Sequence, residues 1–273
     1  MDRLADFRSV FAQVVVARAG CAHNRALLHA FATVPRHAFL GAGPWLVSEH
    51  GARTTGDDPA CVYQDIGFGL AAGIPNGLPS LHAQLLDAAA PQLGDRVMHV
   101  GAGTGYYTAI LAELVGPTGH VRGFEIDQVL AARARDNLAA WPWAHVEPRS
   151  GVHAPEQPVD LIYVNAGVQQ LPRPWIDALA LGGRLVVPLV PASGHGAVFA
   201  ITRDARGYAA RHVCPARFVP CIGAQDAALG ERLEPAFRSP ALAGVRSLRF
   251  AEPPAAAVCL AGDGWWLSSD PPA

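Results

Sequence analysis

Val97-Met98-His99-Val100-Gly101-Ala102-Gly103-Thr104-Gly105-Tyr106-Tyr107 decides the fold of this 273-residue chain. A short apolar run enters three glycines spaced two apart, and a helical pattern opens at Tyr106. A strand, a glycine turn and a helix N-terminus in that order make a nucleotide cradle. Without a Cβ the backbone folds tightly and approaches a ligand closely, while the first helical turn offers free N–H groups. The spacing is not the dinucleotide fingerprint Gly-x-Gly-x-x-Gly, because the third glycine comes one residue early. That disfavours nicotinamide-dependent oxidoreduction.

Outward from this loop, short apolar runs alternate with helical ones, the pattern of parallel strands joined by crossover helices. Strands are predicted at Arg96–Val100, His120–Glu125, His145–Pro148, Leu161–Val164 and Arg184–Pro188, and helices at Tyr106–Leu114, Gln128–Ala139 and Pro172–Ala180. Upstream, residues 1–40 predict two helices, the second ended by Pro35. Residues 41–75 are loop-rich, with Ala60–Tyr63 the best strand candidate. A helix follows at Leu81–Ala90 and a turn at 91–95. Beyond Val190 the period becomes strand-like at Ala197–Thr202, Tyr208–Val213 and Ala257–Leu260. This divides the chain into an N-terminal helical and substrate-loop region (1–90), a nucleotide-binding core (91–190) and C-terminal strands with an extension (191–273).

Two further signals accompany the glycines. About twenty residues on, the second strand ends in Glu125, where an acid can accept both hydroxyls of a ribose; Asp127 is the nearby competitor. The apolar strand Asp160-Leu161-Ile162-Tyr163-Val164 ends at Asn165, which would face a bound ligand. Tyr106 and Tyr107 open the helix beside the loop, one to pack in the core and the other to cover the ligand. Trp141, Trp143, Trp265 and Trp266 read as packing residues, the last two with the alternative of an exposed patch that meets a partner.

Composition excludes several classes. With 51% hydrophobic and 16% charged residues the chain buries a substantial core, and a net charge of −2 gives no basic field for gripping nucleic acid. The five cysteines are scattered and never form Cys-x-x-Cys, so neither a disulfide framework nor a zinc site is expected. No apolar stretch reaches the length of a membrane-spanning helix. The start, Met1-Asp2-Arg3-Leu4-Ala5-Asp6, puts acidic residues where a signal peptide carries basic ones, which reads as cytoplasmic.

The loop Gly101-Ala102-Gly103-Thr104-Gly105 resembles motif I of class I methyltransferases, and four further segments resemble the protein-L-isoaspartate O-methyltransferase family. They are Val34-Pro35-Arg36, Val62-Tyr63-Gln64-Asp65, Arg184-Leu185-Val186-Val187-Pro188 and Phe218-Val219-Pro220, so the likeness covers roughly residues 28–223. It implies an α/β fold of the Rossmann-like class I methyltransferase type: a mostly parallel twisted sheet flanked by helices, an N-terminal helical and loop substrate region, and C-terminal strands. It implies S-adenosyl-L-methionine as cofactor and S-adenosyl-L-homocysteine as product, held by His99, Gly101, Ala102, Gly103, Gly105, Tyr106, Glu125, Ile126 and Asn165, with no metal. The acceptor would be a carboxylate of a peptide, protein or small acid, placed by Asp65, Asn76 and His82. His82 would be the base if the acceptor were a hydroxyl or amine.

Three departures matter. The family's Thr-Ile-Ser-x-Pro segment, which touches the isoaspartyl substrate, here reads Pro75-Asn76-Gly77-Leu78-Pro79. His99 stands where the family carries Glu, and Ser150-Gly151-Val152 replaces a Gly-Asp-Gly that holds adenine, leaving His153 as a substitute. The loss of both hydroxyls predicts a different acceptor, with true isoaspartyl repair as the alternative and an inactive cofactor-binding module as a third reading. It also predicts that Gly77→Ser alters acceptor preference and leaves cofactor affinity alone.

Overall fold

The structure, a computed structural model, describes residues 3–48, 51–70, 74–153, 155–250 and 257–272. Parts of the loop-rich 41–75 stretch, residues 49–50 and 71–73, therefore lie outside the described residues. In chain order the elements are α1 (Arg3–Arg18), α2 (Arg25–Thr33), α3 (Arg36–Leu40), a 3-10 turn at Pro59–Val62, α4 (Pro79–Ala89), β1 (Arg96–Val100), α5 (Tyr106–Val115), β2 (His120–Phe124), α6 (Gln128–Asn137) and β3 (Ala144–Glu147). There follow β4 (Val159–Val164), α7 (Arg173–Asp177), β5 (Leu179–Leu189), β6 (His195–Asp204), β7 (Gly207–Arg217), α8 (Ala227–Phe237), β8 (Ser247–Arg249), β9 (Val258–Gly262) and β10 (Trp265–Ser268). Contacts gather the chain into two units, 1–95 with 102–149 and 96–101 with 150–273.

In the first unit, β2 and β3 run parallel, with Val121 opposite Ala144 and Phe124 opposite Glu147. Almost every residue of α5 is buried, as expected of an apolar helix packed on all sides. Two helices were expected in residues 1–40 and there are three, because Pro35 both stops one and starts the next. The residue before a proline is pushed to extended backbone, so α2 ends at Thr33, Val34 is extended, and Pro35 then precedes α3.

The strand expected at Ala60–Tyr63 is instead a 3-10 turn. Pro59 opens it and the Asp58 carboxylate accepts from the Ala60 N–H at 3.0 Å, tightening the backbone. Beyond it the carbonyls are claimed by a side chain rather than by a neighbouring strand. Arg36 is fully buried, and its guanidinium donates to the carbonyls of Val62, Gln64 and Ile66 at 2.7–2.8 Å while lying over the rings of Phe11 and Phe68. A buried cation is tolerated only with such partners.

In the second unit, β1, β4 and β5 are parallel neighbours: Val97 faces Leu161 and Val100 faces Val164, while Leu161 faces Arg184. These strands read as near-continuous apolar runs because both faces are covered. From β5 onward the pairing turns antiparallel, through β6, β7, β8, β10 and β9. Helix α7 is shorter than expected because β5 begins at Leu179, which pairs with Val159. Three elements had not been expected: α8, β8 and β10.

Candidate functional site

The glycine loop folds as its spacing requires. Gly101, Gly103 and Gly105 have φ of +79°, +57° and +92°, the left-handed region closed to most side chains. At Gly105, the residue before α5, a Cβ would also stand 3.3 Å from the Ala134 methyl, so α6 packs against bare backbone. The Asn137 side-chain amide donates to the Thr104 carbonyl at 2.9 Å and ties α6 to the loop. Ala102 N–H donates to the Phe124 carbonyl, joining the loop to the end of β2.

Glu125 follows β2 directly and is 7% exposed. Its Oε2 accepts from the Gly103 N–H at 2.7 Å and its Oε1 from the Asp127 N–H at 3.0 Å, so the carboxylate is aimed back at the glycines. Asp127, its competitor, is the N-cap of α6, accepting from the N–H groups of Val129 and Leu130. Of the two acids, Glu125 is therefore the one aimed at the glycine loop. Beside it Ile126 keeps 45% of its surface exposed, an apolar residue standing free at a strand end.

In the second unit, Asn165 follows β4, and its N–H donates to the Val100 carbonyl at 2.8 Å. Its backbone passes 3.4 Å from where a Cβ on Gly101 would stand. Asn165 Nδ2 lies 2.9 Å from His99 Nε2, while Oδ1 is buried without a hydrogen-bond partner. His99 has no exposed surface, and burial pushes its pKa down to about 3, so the imidazole is neutral. It supports Asn165 rather than presenting itself to a ligand. His153 is exposed, and the Gly151 carbonyl beside it accepts from the Trp175 indole at 2.8 Å.

The acceptor candidates lie in the first unit. Phe68–Leu70 and Ile74–Asn76 form a narrow antiparallel pair, with Asn76 N–H donating to the Phe68 carbonyl and Leu70 N–H to the Ile74 carbonyl. Leu70 Cδ1 approaches the Cα face of Gly103, which brings this pair onto the glycine loop. Asn76 is 7% exposed, and its Nδ2 has no hydrogen-bond partner. Gly77 has φ +75°, and a Cβ there would run into the His82 ring, 2.7 Å from Cδ2. His82 in turn stacks on Tyr107, centroids 3.7 Å apart.

Two candidates are otherwise occupied. Asp65 accepts from the Ser80 N–H at 2.8 Å at the start of α4, and its other oxygen meets Arg18 at 3.1 Å, so it secures the helix that carries His82. Tyr106 packs in the core against Phe31, Phe39 and Tyr107. The tryptophans pack as read: Trp141 and Trp143 donate to Glu113 and the Ala112 carbonyl, and Trp265 to Gln170. Sequence reasoning missed Arg36 as an organising cation; of the two tyrosines read as one core and one cover, Tyr107 is the one that stacks on His82. Among the described residues no cluster of three or more His, Cys, Asp or Glu is placed to hold a metal.

Residues 14–226 match the model of the protein-L-isoaspartate(D-aspartate) O-methyltransferase family. A protein-L-isoaspartate O-methyltransferase from Aeropyrum pernix is 35% identical over 215 residues, covering 76% of each chain. One from Ignicoccus hospitalis is 35% identical over 164 residues, 59% of this chain and 78% of its own. Among solved structures, a protein-L-isoaspartate O-methyltransferase superposes with TM-score 0.67 at 24% identity, covering 89% of this chain and 72% of that one. A putative one from Plasmodium falciparum, in complex with S-adenosyl-L-homocysteine, gives 0.64 at 18% identity, covering 78% and 97%. The fold is the Rossmann-like α/β fold of class I methyltransferases. The chain is an S-adenosylmethionine-dependent methyltransferase that belongs to the protein-L-isoaspartate (D-aspartate) O-methyltransferase family.

Proposed function

We propose that this enzyme methylates a carboxylate of a protein or peptide, with an L-isoaspartyl peptide, the acceptor its relatives are named for, as the first to test. The carrying observation is Asn76 Nδ2, a buried donor without a partner on the strand pair that packs against Gly103. A carboxylate is an acceptor-only group and fits that donor. Gly77 leaves no hydroxyl at the next position, and the His82 ring fills the space, which favours as a second reading an acceptor of altered shape.

The residues fit the cofactor. In the first unit the glycine loop is held against the Glu125 carboxylate, and Thr104 Oγ1 is a buried polar atom without a hydrogen-bond partner. Glu125 would take the ribose hydroxyls, Ile126 an apolar ring and the glycine loop the polar tail. Once bound, S-adenosylmethionine would supply an electrophilic methyl for a carboxylate oxygen, with S-adenosylhomocysteine as the leaving group. No proton moves, since the carboxylate is already ionised at neutral pH. The chain's own work is therefore alignment and water exclusion, which can supply several kcal/mol of the barrier. His82 then need not act as a base.

No helix among the described residues is long and apolar enough to cross a membrane, and we place the enzyme in the cytoplasm. Calorimetric titration with S-adenosylmethionine and S-adenosylhomocysteine, followed by product release on an isoaspartyl peptide, tests the reading. Binding with turnover supports it. Binding with turnover only on another carboxylate supports the altered acceptor, and binding with turnover on no carboxylate refutes both.

A further inference from the structure

Two buried donors beside the acceptor segment lack hydrogen-bond partners, Asn76 Nδ2 and Tyr107 Oη. A short run of contacts links them. Asn76 adjoins Gly77, the bare Cα of Gly77 faces the His82 ring, and that ring stacks on Tyr107 at an interplanar angle of 23°. Tyr107 is 4% exposed, and burial lifts its pKa well above the ordinary phenol value, so it remains an O–H donor.

Leaving such a donor unpaired is unfavourable, and a ligand that supplies an acceptor relieves it. The nearby acid Asp65 cannot, because both its oxygens are engaged by Ser80 and Arg18. Tyr106, the neighbouring phenol, is enclosed by Phe31 and Phe39 and belongs to the core. Two neutral donors reached through one stack suit a group with two acceptor oxygens and no proton. We propose that Tyr107 Oη is a second donor to the acceptor carboxylate, working with Asn76 Nδ2, its ring held by His82. This rests on the carboxylate-acceptor reading above.

Tyr107→Phe keeps the ring and the stack and deletes only the donor. We expect kcat/KM for an isoaspartyl peptide, or for whichever carboxylate peptide the wild type methylates, to fall about 10- to 100-fold, the range for losing a hydrogen bond to a charged group. S-adenosylhomocysteine affinity should stay within about twofold, and the preference of the site for the carboxylate peptide over the matching amide peptide as a competitive ligand should shrink in parallel. Wild-type turnover with Tyr107→Phe equal to it in kcat/KM and in that preference overturns the assignment and leaves the carboxylate reading standing. A wild type that binds S-adenosylhomocysteine but neither binds nor methylates any carboxylate peptide removes both.

Discussion

Asn165 Nδ2 lies 2.9 Å from His99 Nε2, and because an amide nitrogen only donates, that ring nitrogen carries no proton. Burial holds the folded pKa near 3 against an ordinary 6.5. Between those values the unfolded chain binds one more proton than the folded one, so stability falls as pH drops below 6.5, by about 1.4 kcal/mol per pH unit and roughly 5 kcal/mol in all. His99→Gln keeps an acceptor for Asn165 and should flatten this acid slope. Urea unfolding from pH 7 to pH 4 checks it; equal slopes in the two proteins would contradict the assignment.

Glu125→Gln should weaken S-adenosylhomocysteine binding by roughly tenfold or more, the usual effect of losing a charge-assisted hydrogen bond. The Asp127 cap and the strand pairing are untouched by the change, so Tm should move by only a few degrees. Calorimetry with unchanged affinity would remove Glu125 from the cofactor site.

Gly77→Ser now carries a different expectation from the one its sequence suggests. At φ +75°, with the His82 ring where the Cβ must go, the serine strains the backbone and disturbs the stack on Tyr107. A loss of about 1–3 kcal/mol is expected, with acceptor turnover falling and cofactor affinity unchanged. Asn76→Ala, by contrast, should lower acceptor kcat/KM about tenfold at nearly constant Tm. Comparing the two by thermal melts and steady-state kinetics separates strain from a lost donor.

Arg36→Met removes the donors from three carbonyls and should lower stability by about 3–5 kcal/mol, a fall in Tm of roughly 10 °C. Arg36→Lys should recover little, since one ammonium cannot reproduce a planar fork with donors to Val62, Gln64 and Ile66. Differential scanning calorimetry of both variants decides this.

The parts of this protein legible in its sequence are those governed by local pattern. The apolar runs of β1, β4 and β5 and the glycine spacing announce themselves, as does Glu125 at a strand end. What stayed hidden depends on partners distant in the chain. Ala60–Tyr63 has strand-like residues, yet Asp58, Pro59 and Arg36 override them. Helix α8 was obscured by Gly230 and by Pro235 within its last turn. Trp265-Trp266 read as packing, which they are, but nothing local shows that they pair with β8 and β9. Asp65 resembled a family acid, and only the folded chain shows both its oxygens engaged.

The interleaving of the two units bears on how the chain is made. Strand β1 belongs by its contacts to the second unit, although it is translated inside the first. Its parallel partner β4 begins only at Val159, and parallel pairing across such a separation is slow to form. A nascent chain stalled before residue 159 thus holds β1 without its partner β4, and whereas a cut at 95 divides the first unit, a cut at 150 strips 96–101 from the second. The second unit cannot be assembled from the later half of the chain alone: it must recover a strand made before the first unit was complete.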